Sequence, residues 1–419
     1  MQPFRILNIS TQERRWVIFW GGVFVILTMI PYAIAMLVSD DTWHFFGVLA
    51  TPQDNAAYLA KMRQGTEGYW LFELRYTPDA HDKAGLFLFY LLLGQISRIL
   101  GLSTIVTFHL VRIIASLFMF TAFYQLGASV WQRERPRRLF FVFVSLASGL
   151  GWLAILFDPN VIAPDLDLPS AFPFYAAYTN PHLPITFGCL ALLGAIFIKV
   201  FRPGYTESPT AENGGMGVII LTIILAIVQP TSLIILSTTL AIFVIISGYI
   251  NKELPWHEMR WSSMVWLPVL PIALYLYLVF NTNDIMSEFG EQMLSVEVPN
   301  IPLALLGYGL VPLVALPGII RGIRSFERDS DQFMVIWLLV NTVMIMLPSD
   351  FQIYLYTGLI IPLAFFVVRS LEDYWFDHIQ KKWRLLLLIL VLVLMLPSNV
   401  LALLVPLYGG AFNREEGAE

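Results

Sequence analysis

Thr51-Pro52-Gln53-Asp54-Asn55-Ala56-Ala57-Tyr58-Leu59-Ala60-Lys61-Met62-Arg63 opens the helical part of the one long polar connection in an otherwise apolar chain. Pro52 followed by Asp54 is a helix-start signal, because proline is tolerated in a first turn and an acid there meets unpaired N–H groups. Tyr58 follows Asp54 by four residues, so the two share a helical face. The connection runs from Ser39 to Lys83 and continues into an apolar stretch ending at Leu100. Connections this long are functional more often than connective. Periodicity alone makes Asp54 a helix cap on an exposed loop.

Outward from this segment the chain is membrane-like. Of 419 residues, 57% are hydrophobic and 13% are charged, where a soluble domain carries about 25% charged residues. Mean hydropathy is +0.70. These values exclude an ordinary soluble enzyme and any disordered or fibrous class, and leave an all-α polytopic membrane protein. The net charge of −5 gives no basic field for nucleic acid. The single cysteine, Cys189, excludes an internal disulfide and any Cys-based metal site.

Apolar runs predict spans near Trp16–Val38, Thr104–Val130, Leu139–Phe157, Leu183–Val200, Met264–Phe280, Pro302–Ile320, Phe333–Pro348, Tyr354–Val368 and Leu385–Leu407. Met216–Ile250 is long enough for two, broken at Gln229-Pro230-Thr231-Ser232. The total is about eleven. Ala84–Leu100 is apolar but short and carries Gln95, Ser97 and Arg98, so it either spans or lies in the interface. The basic residues choose between these. With Ala84–Leu100 interfacial and the N-terminus cytoplasmic, 18 of the 25 Lys and Arg face the cytoplasm. If the segment spanned, every later loop would flip and the bias would collapse. The predicted order is a cytoplasmic N-terminus at 1–15, a first span at 16–38 and an extracytoplasmic loop at 39–102. Core spans at 103–250 follow, with a second outer loop at 158–182, then further spans at 251–407 and an outer tail at 408–419. The first span resembles a signal anchor more than a cleaved signal, although Ala33-Ile34-Ala35 is cleavage-like.

This topology gathers acids outside, where they could hold a divalent cation or could simply be what remains when Lys and Arg are depleted. In the second outer loop, Asp165-Leu166-Asp167 would put two carboxylates on one side of an extended segment, a workable metal pair. Tyr178, Asn180 and His182 close that loop, and His182 could be a ligand, a proton carrier or a cap. Arg112 is the one charge inside an apolar run, with His109 three residues before it on the same face. Either Arg112 meets a lipid phosphate, or it ties the loop to the bundle through a carboxylate. Asp350, Gln352 and Tyr354 could line a polar cavity or form an aromatic belt with a turn. Asp79, His81 and Asp82 are further cavity candidates in the first loop. No P-loop, GxSxG or HExxH motif occurs.

A first span, a long outer loop with Asp54 and Tyr58 near its start, an interfacial helix at Leu86–Leu100, a span carrying His109 and Arg112, and a basic turn at Arg133–Arg138 together resemble the GT-C glycosyltransferases. That group includes oligosaccharyltransferase catalytic subunits, protein O-mannosyltransferases and aminoarabinose transferases. The match covers roughly the first half of the chain. It implies a bacterial plasma-membrane enzyme taking sugar from a polyprenyl-phosphate donor in the lipid bilayer, with inversion. Asp54 would be the catalytic base or a metal-linked acid. Asp54, Asp165, Asp167 and His182 would hold Mg or Mn, and Arg112 with His109 would hold the donor phosphate. Two features depart from the pattern: Asp54-Asn55 replaces the Asp-Glu of mannosyltransferases, and no large C-terminal domain follows. The competing classes are a transporter, for which midplane polar residues and internal repeats would be expected, and a non-catalytic envelope assembly component.

Overall fold

A computed structural model describes residues 9–41, 44–158, 160–201, 211–294, 299–326, 329–347 and 352–412. Asp350 lies outside the described residues. Among the described residues there is no strand, only an isolated antiparallel bridge between Phe72 and Ala84. The rest is helices and their turns.

The first helix, α1 (Thr11–Val38), starts five residues before the apolar run because Ser10 and Glu13 form a reciprocal capping box. The loop contributes α2 (Pro52–Thr66) and α3 (Leu88–Leu100). The core follows as α4 (Thr104–Val130), α5 (Glu134–Leu146), α6 (Gly151–Phe157), α7 (Pro164–Asp167), α8 (Pro173–Thr179) and α9 (His182–Val200). Helix α9 is apolar on every face, and neighbours cover nearly all of it. It packs along α4, with Gly188 admitting the Phe118 ring.

Among the described residues, eight helices are long and apolar enough to cross a membrane, and the chain is an integral membrane protein by that composition. The remaining three of the eleven expected spans fall outside those eight. Gly214–Val228 and Asp331–Met346 are apolar stretches of the 18-residue helices Ala211–Val228 and Asp329–Met346, and Ile301–Tyr308 with Val311–Arg324 bends by 90°. Gly309 makes that corner with φ +52, a conformation open to glycine. The 13 residues of α3 reach about 20 Å at 1.5 Å per residue, short of the roughly 30 Å hydrocarbon core. Instead α3 lies along α2. The two backbones meet where Gly65 faces Gly94, and a Cβ on Gly94 would stand 2.0 Å from the Met62 carbonyl oxygen.

At the opposite, basic end of the bundle, Glu13 is buried and accepts from Tyr124 Oη and Arg137 Nη1, both at 2.7 Å. Paired and hydrogen-bonded on both sides, it fixes where α1 meets α4 and α5.

Candidate functional site

The site is built at the loop end of the bundle from α2, the turn of α7, the start of α9 and the 3-10 turn Gln352–Tyr356. Thr51 precedes α2 with φ 43, an outlier for a β-branched residue that costs about 1–3 kcal/mol. Asn55 holds it there, donating from Nδ2 to Ala50 O at 2.8 Å and to Thr51 Oγ1 at 3.3 Å. Asn55 is fully buried. A glutamate here would offer no donor to these oxygens, which is a physical reason for asparagine after Asp54.

The sharp entry aims Asp54 into a recess. Its side chain is accessible, yet surrounding protein pushes its carboxyl above the usual carboxylate range. Desolvation is the main cause; Lys61 opposes it, and the charge of Asp167 adds to it. Asp54 also acts on Tyr58 and on Tyr354, so one carboxylate is shared by three elements. Asp167 in turn acts on Tyr175.

Beside Asp54 stands an aromatic wall. The Tyr58 ring stacks on Tyr90 at 4.3 Å with 9° between planes, and meets His182 edge-on at 5.1 Å. Tyr90 Oη lies 2.6 Å from His182 Nδ1. Which of the two donates is set by the His182 tautomer. Lys61 Nζ sits 3.6 Å from the Phe87 ring centroid and 5.0 Å from that of Tyr58. Desolvation lowers its ammonium to about 8, against the pull of Asp54.

Several expected residues are elsewhere. The segment carrying Asp165 and Asp167 is a helical turn, not an extended strand, so residues two apart diverge. Asp165 is buried, and its Oδ2 accepts from Gly149 N at 3.0 Å and Gly151 N at 3.1 Å, capping α6. Only Asp167 turns to the recess. With Asp165 engaged by two backbone N–H groups, the four-residue metal set does not come together. Among the described residues, no three His, Cys, Asp or Glu side chains could hold a metal ion together. Those residues do not fit a divalent cation.

Arg112 is also consumed. It is 1% exposed and donates from Nη1 to the carbonyls of Ala177, at 3.0 Å, and Tyr178, and from Nη2 to Met29 Sδ. Its guanidinium lies 4.4 Å from the Tyr32 ring centroid. It ties the second loop to the bundle, but through carbonyls at the end of α8 rather than a carboxylate. His109 Nε2 is 2.7 Å from Gly47 O. Neither faces a phosphate from outside. Tyr178 is buried, its carbonyl receiving Tyr32 Oη at 2.8 Å, and Asn180 is buried beside it. His81 has both nitrogens engaged, with Leu74 N and Asp79 O, and Asp79 Oδ2 accepts from Thr77. Asp82 is exposed on the same small hairpin. Gln352 caps the preceding helix at Ile345 O, and Tyr354 alone of its group reaches Asp54.

Lys61, Asn55 and Tyr90 escaped the sequence reading. The spacing that paired Asp54 with Tyr58 continues to Lys61, seven residues on, the next position of the same face. Nothing local marks Tyr90, which is brought in by the α2–α3 contact.

No protein-family model matches the chain, and no curated protein does. Among solved structures, the oligosaccharyltransferase of Archaeoglobus fulgidus, crystallised with a tethered acceptor peptide, is similar over 94% of this chain at 12% identity and TM-score 0.54. The chain spans 56% of that protein's length. At this identity the likeness is one of fold alone, and it is to that oligosaccharyltransferase that the fold of this chain is similar.

Proposed function

We propose that this chain is a GT-C-type glycosyltransferase that moves a sugar from a polyprenyl-phosphate donor to an acceptor hydroxyl at the outer membrane face. The observation that carries the reading is Asp54, a solvent-reachable carboxylate with raised proton affinity in a recess at the loop end of an oligosaccharyltransferase-like fold. The excess of Lys and Arg on the opposite side supports an outward-facing loop end and a cytoplasmic N-terminus.

In the proposed step the acceptor oxygen attacks the anomeric carbon while its proton passes to the Asp54 carboxylate. The bond from that carbon to the phosphate oxygen breaks, and its electron pair leaves on the phosphate. A single displacement inverts the anomeric centre. Desolvation and Asp167 make Asp54 a stronger base than a solvated carboxylate, bringing it toward the operating pH. Arg112, buried against carbonyls, takes no part.

The test is sugar transfer by purified protein in detergent, with a panel of polyprenyl-phosphate sugars and with Asp54→Asn beside wild type. Turnover lower by roughly 10²–10⁴-fold in the folded variant is expected of a lost general base. Unchanged turnover would remove Asp54 from the chemistry. Absence of transfer with every donor and acceptor offered would count against the enzyme itself.

A further inference from the structure

At the basic end of the bundle, four arginines each meet an acid: Arg137 pairs with Glu13, Arg138 with Glu134, Arg321 with Asp373 and Arg369 with Asp331. One cluster departs from this pattern. The helix Ile360–Ser370 continues through a π-helical turn, Leu371–Trp375, to His378. That turn presents Glu372 to three guanidinium groups. Arg135 Nε lies 3.4 Å from Glu372 Oε1, and the charges of Arg133 and Arg384 also act on that carboxylate. The Arg135 and Arg384 guanidiniums lie over one ring, Phe376, at 4.4 Å and 5.6 Å from its centroid. Asp373, the other acid of the turn, is taken by Arg321. Lys381 and Lys382, both exposed, open the next helix, Lys381–Leu407, so bases outnumber Glu372 and the exposed Asp377.

The cluster sits where apolar chain begins. Two of the segments long and apolar enough to cross a membrane, Glu134–Phe157 and Lys381–Phe412, start at it. Trp383 is 52% exposed there, with Lys382 Nζ 5.6 Å from its ring centroid, and an amphipathic ring suits the headgroup level. Further along the same helix Leu386, Ile389, Leu390 and Val393 recur at helical spacing, and all four are exposed. One surface therefore joins a cationic cluster to an apolar stripe that no other described part of the chain covers. A scattered excess of Lys and Arg beside a membrane needs no ligand. Guanidinium groups gathered over one ring, continuous with an apolar stripe, match a molecule with a phosphate at one end and hydrocarbon at the other.

We propose that Arg133, Arg135 and Arg384, with Lys381 and Lys382 at the rim, bind the phosphodiester headgroup of an anionic phospholipid from the leaflet at the basic end, with an acyl chain along 386–393. Arginine offers phosphate oxygens paired donors in a planar fork. Glu372 holds Arg135 in place without neutralising the group, and Phe376 backs the guanidiniums on one side. The bound lipid bridges α5 and the helix Lys381–Leu407, and by binding only the folded chain it stabilises it. This site lies at the end of the bundle away from Asp54 and stands whether or not the chain transfers sugar.

The experiment is equilibrium binding to the full chain in detergent micelles, with the thermal transition followed in parallel. The probes are phosphatidylglycerol, phosphatidylcholine with the same acyl chains, and soluble glycerol phosphate. Wild type should bind phosphatidylglycerol at least roughly tenfold more tightly than phosphatidylcholine, and should unfold at a higher temperature in its presence. Arg133→Gln combined with Arg384→Gln should lose roughly 10- to 30-fold. Lys381→Gln combined with Lys382→Gln, at two exposed positions, should lose roughly threefold or more and keeps the test open if the arginine pair does not fold. The control is Lys252→Gln combined with Arg260→Gln. Both are exposed at the same end, where His257 Nε2 lies 2.9 Å from Val200 O at the close of α9. This control removes the same charge and should leave binding within about twofold. If it weakens binding as much as the arginine pair does, the attraction is a diffuse field and the site falls. If folded arginine and lysine pairs bind phosphatidylglycerol like wild type, the site is elsewhere. If wild type binds phosphatidylcholine equally well, the charge assignment falls. If glycerol phosphate binds as tightly as phosphatidylglycerol, the ligand is not a lipid.

Discussion

Asp165→Ala separates a structural carboxylate from a metal ligand. Asp165 Oδ2 serves two backbone donors, Gly149 N at 3.0 Å and Gly151 N at 3.1 Å, and the side chain is 1% exposed. Alanine leaves both N–H groups buried without an acceptor, at about 1–3 kcal/mol each. The expected loss is therefore about 2–6 kcal/mol. Asparagine keeps a carbonyl oxygen and loses only the charge assistance, so Asp165→Asn should cost about 1–2 kcal/mol. The assay is unfolding of purified protein in detergent, by heat or by SDS titration, with sugar transfer normalised to folded protein. Stability should fall in the order wild type, Asn, Ala, while turnover per folded molecule stays within about threefold, because the carboxylate never reaches the recess. An Asp165→Asn variant of full stability and no turnover would refute this and return the residue to metal or substrate.

Other outcomes follow from the same geometry. The kcat/KM profile should be bell-shaped, rising as Asp54 loses its proton above the ordinary carboxylate range and falling as Lys61 loses its own near pH 8. Lys61→Arg should carry the alkaline limb upward, and an unmoved limb would disconnect it from Lys61. Because the Lys61 ammonium is lowered on folding from 10.5 to about 8, the unfolded chain binds the extra proton between those values. Stability should accordingly rise with pH across that window in wild type and not in Lys61→Met, read from unfolding midpoints. Arg112→Lys should cost about 2–4 kcal/mol of stability through its carbonyl contacts and leave the donor KM of folded protein within about twofold. A tenfold rise in KM at full stability would restore it to the phosphate. Gly94→Ala should lower the unfolding midpoint, since its Cβ meets backbone at 2.0 Å, with a cost of about 1–3 kcal/mol or more. An unchanged midpoint would mean that α2 and α3 part easily.

That the chain is built of membrane-length apolar helices was legible because apolar length acts through the membrane as solvent and needs no knowledge of packing. Asp54 and Tyr58 were legible because they are neighbours on one helix. Asp165 and Asp167 misled, because their spacing means one thing in a strand and the reverse in a turn, and Pro164 started a turn. Arg112 misled differently. A charge in an apolar run signals function only when no polar backbone awaits it, and the frayed carbonyls of α8 are invisible until the fold brings them near. Lys61 was within reach of the helical spacing, but the Phe87 ring beside its ammonium is a property of the assembled loop alone.

The interlocked backbones at Gly65 and Gly94 make a lever of the first loop. With no side chain between them, α3 cannot slide or tilt without carrying α2 along. On the proposed interfacial placement of α3, its apolar flank would meet the headgroups while the far arm bears Asp54 and Lys61. Lateral pressure and lipid thickness would then load the proposed base and the ammonium mechanically, without slack. Bilayer composition would become an input to the spacing of the two groups.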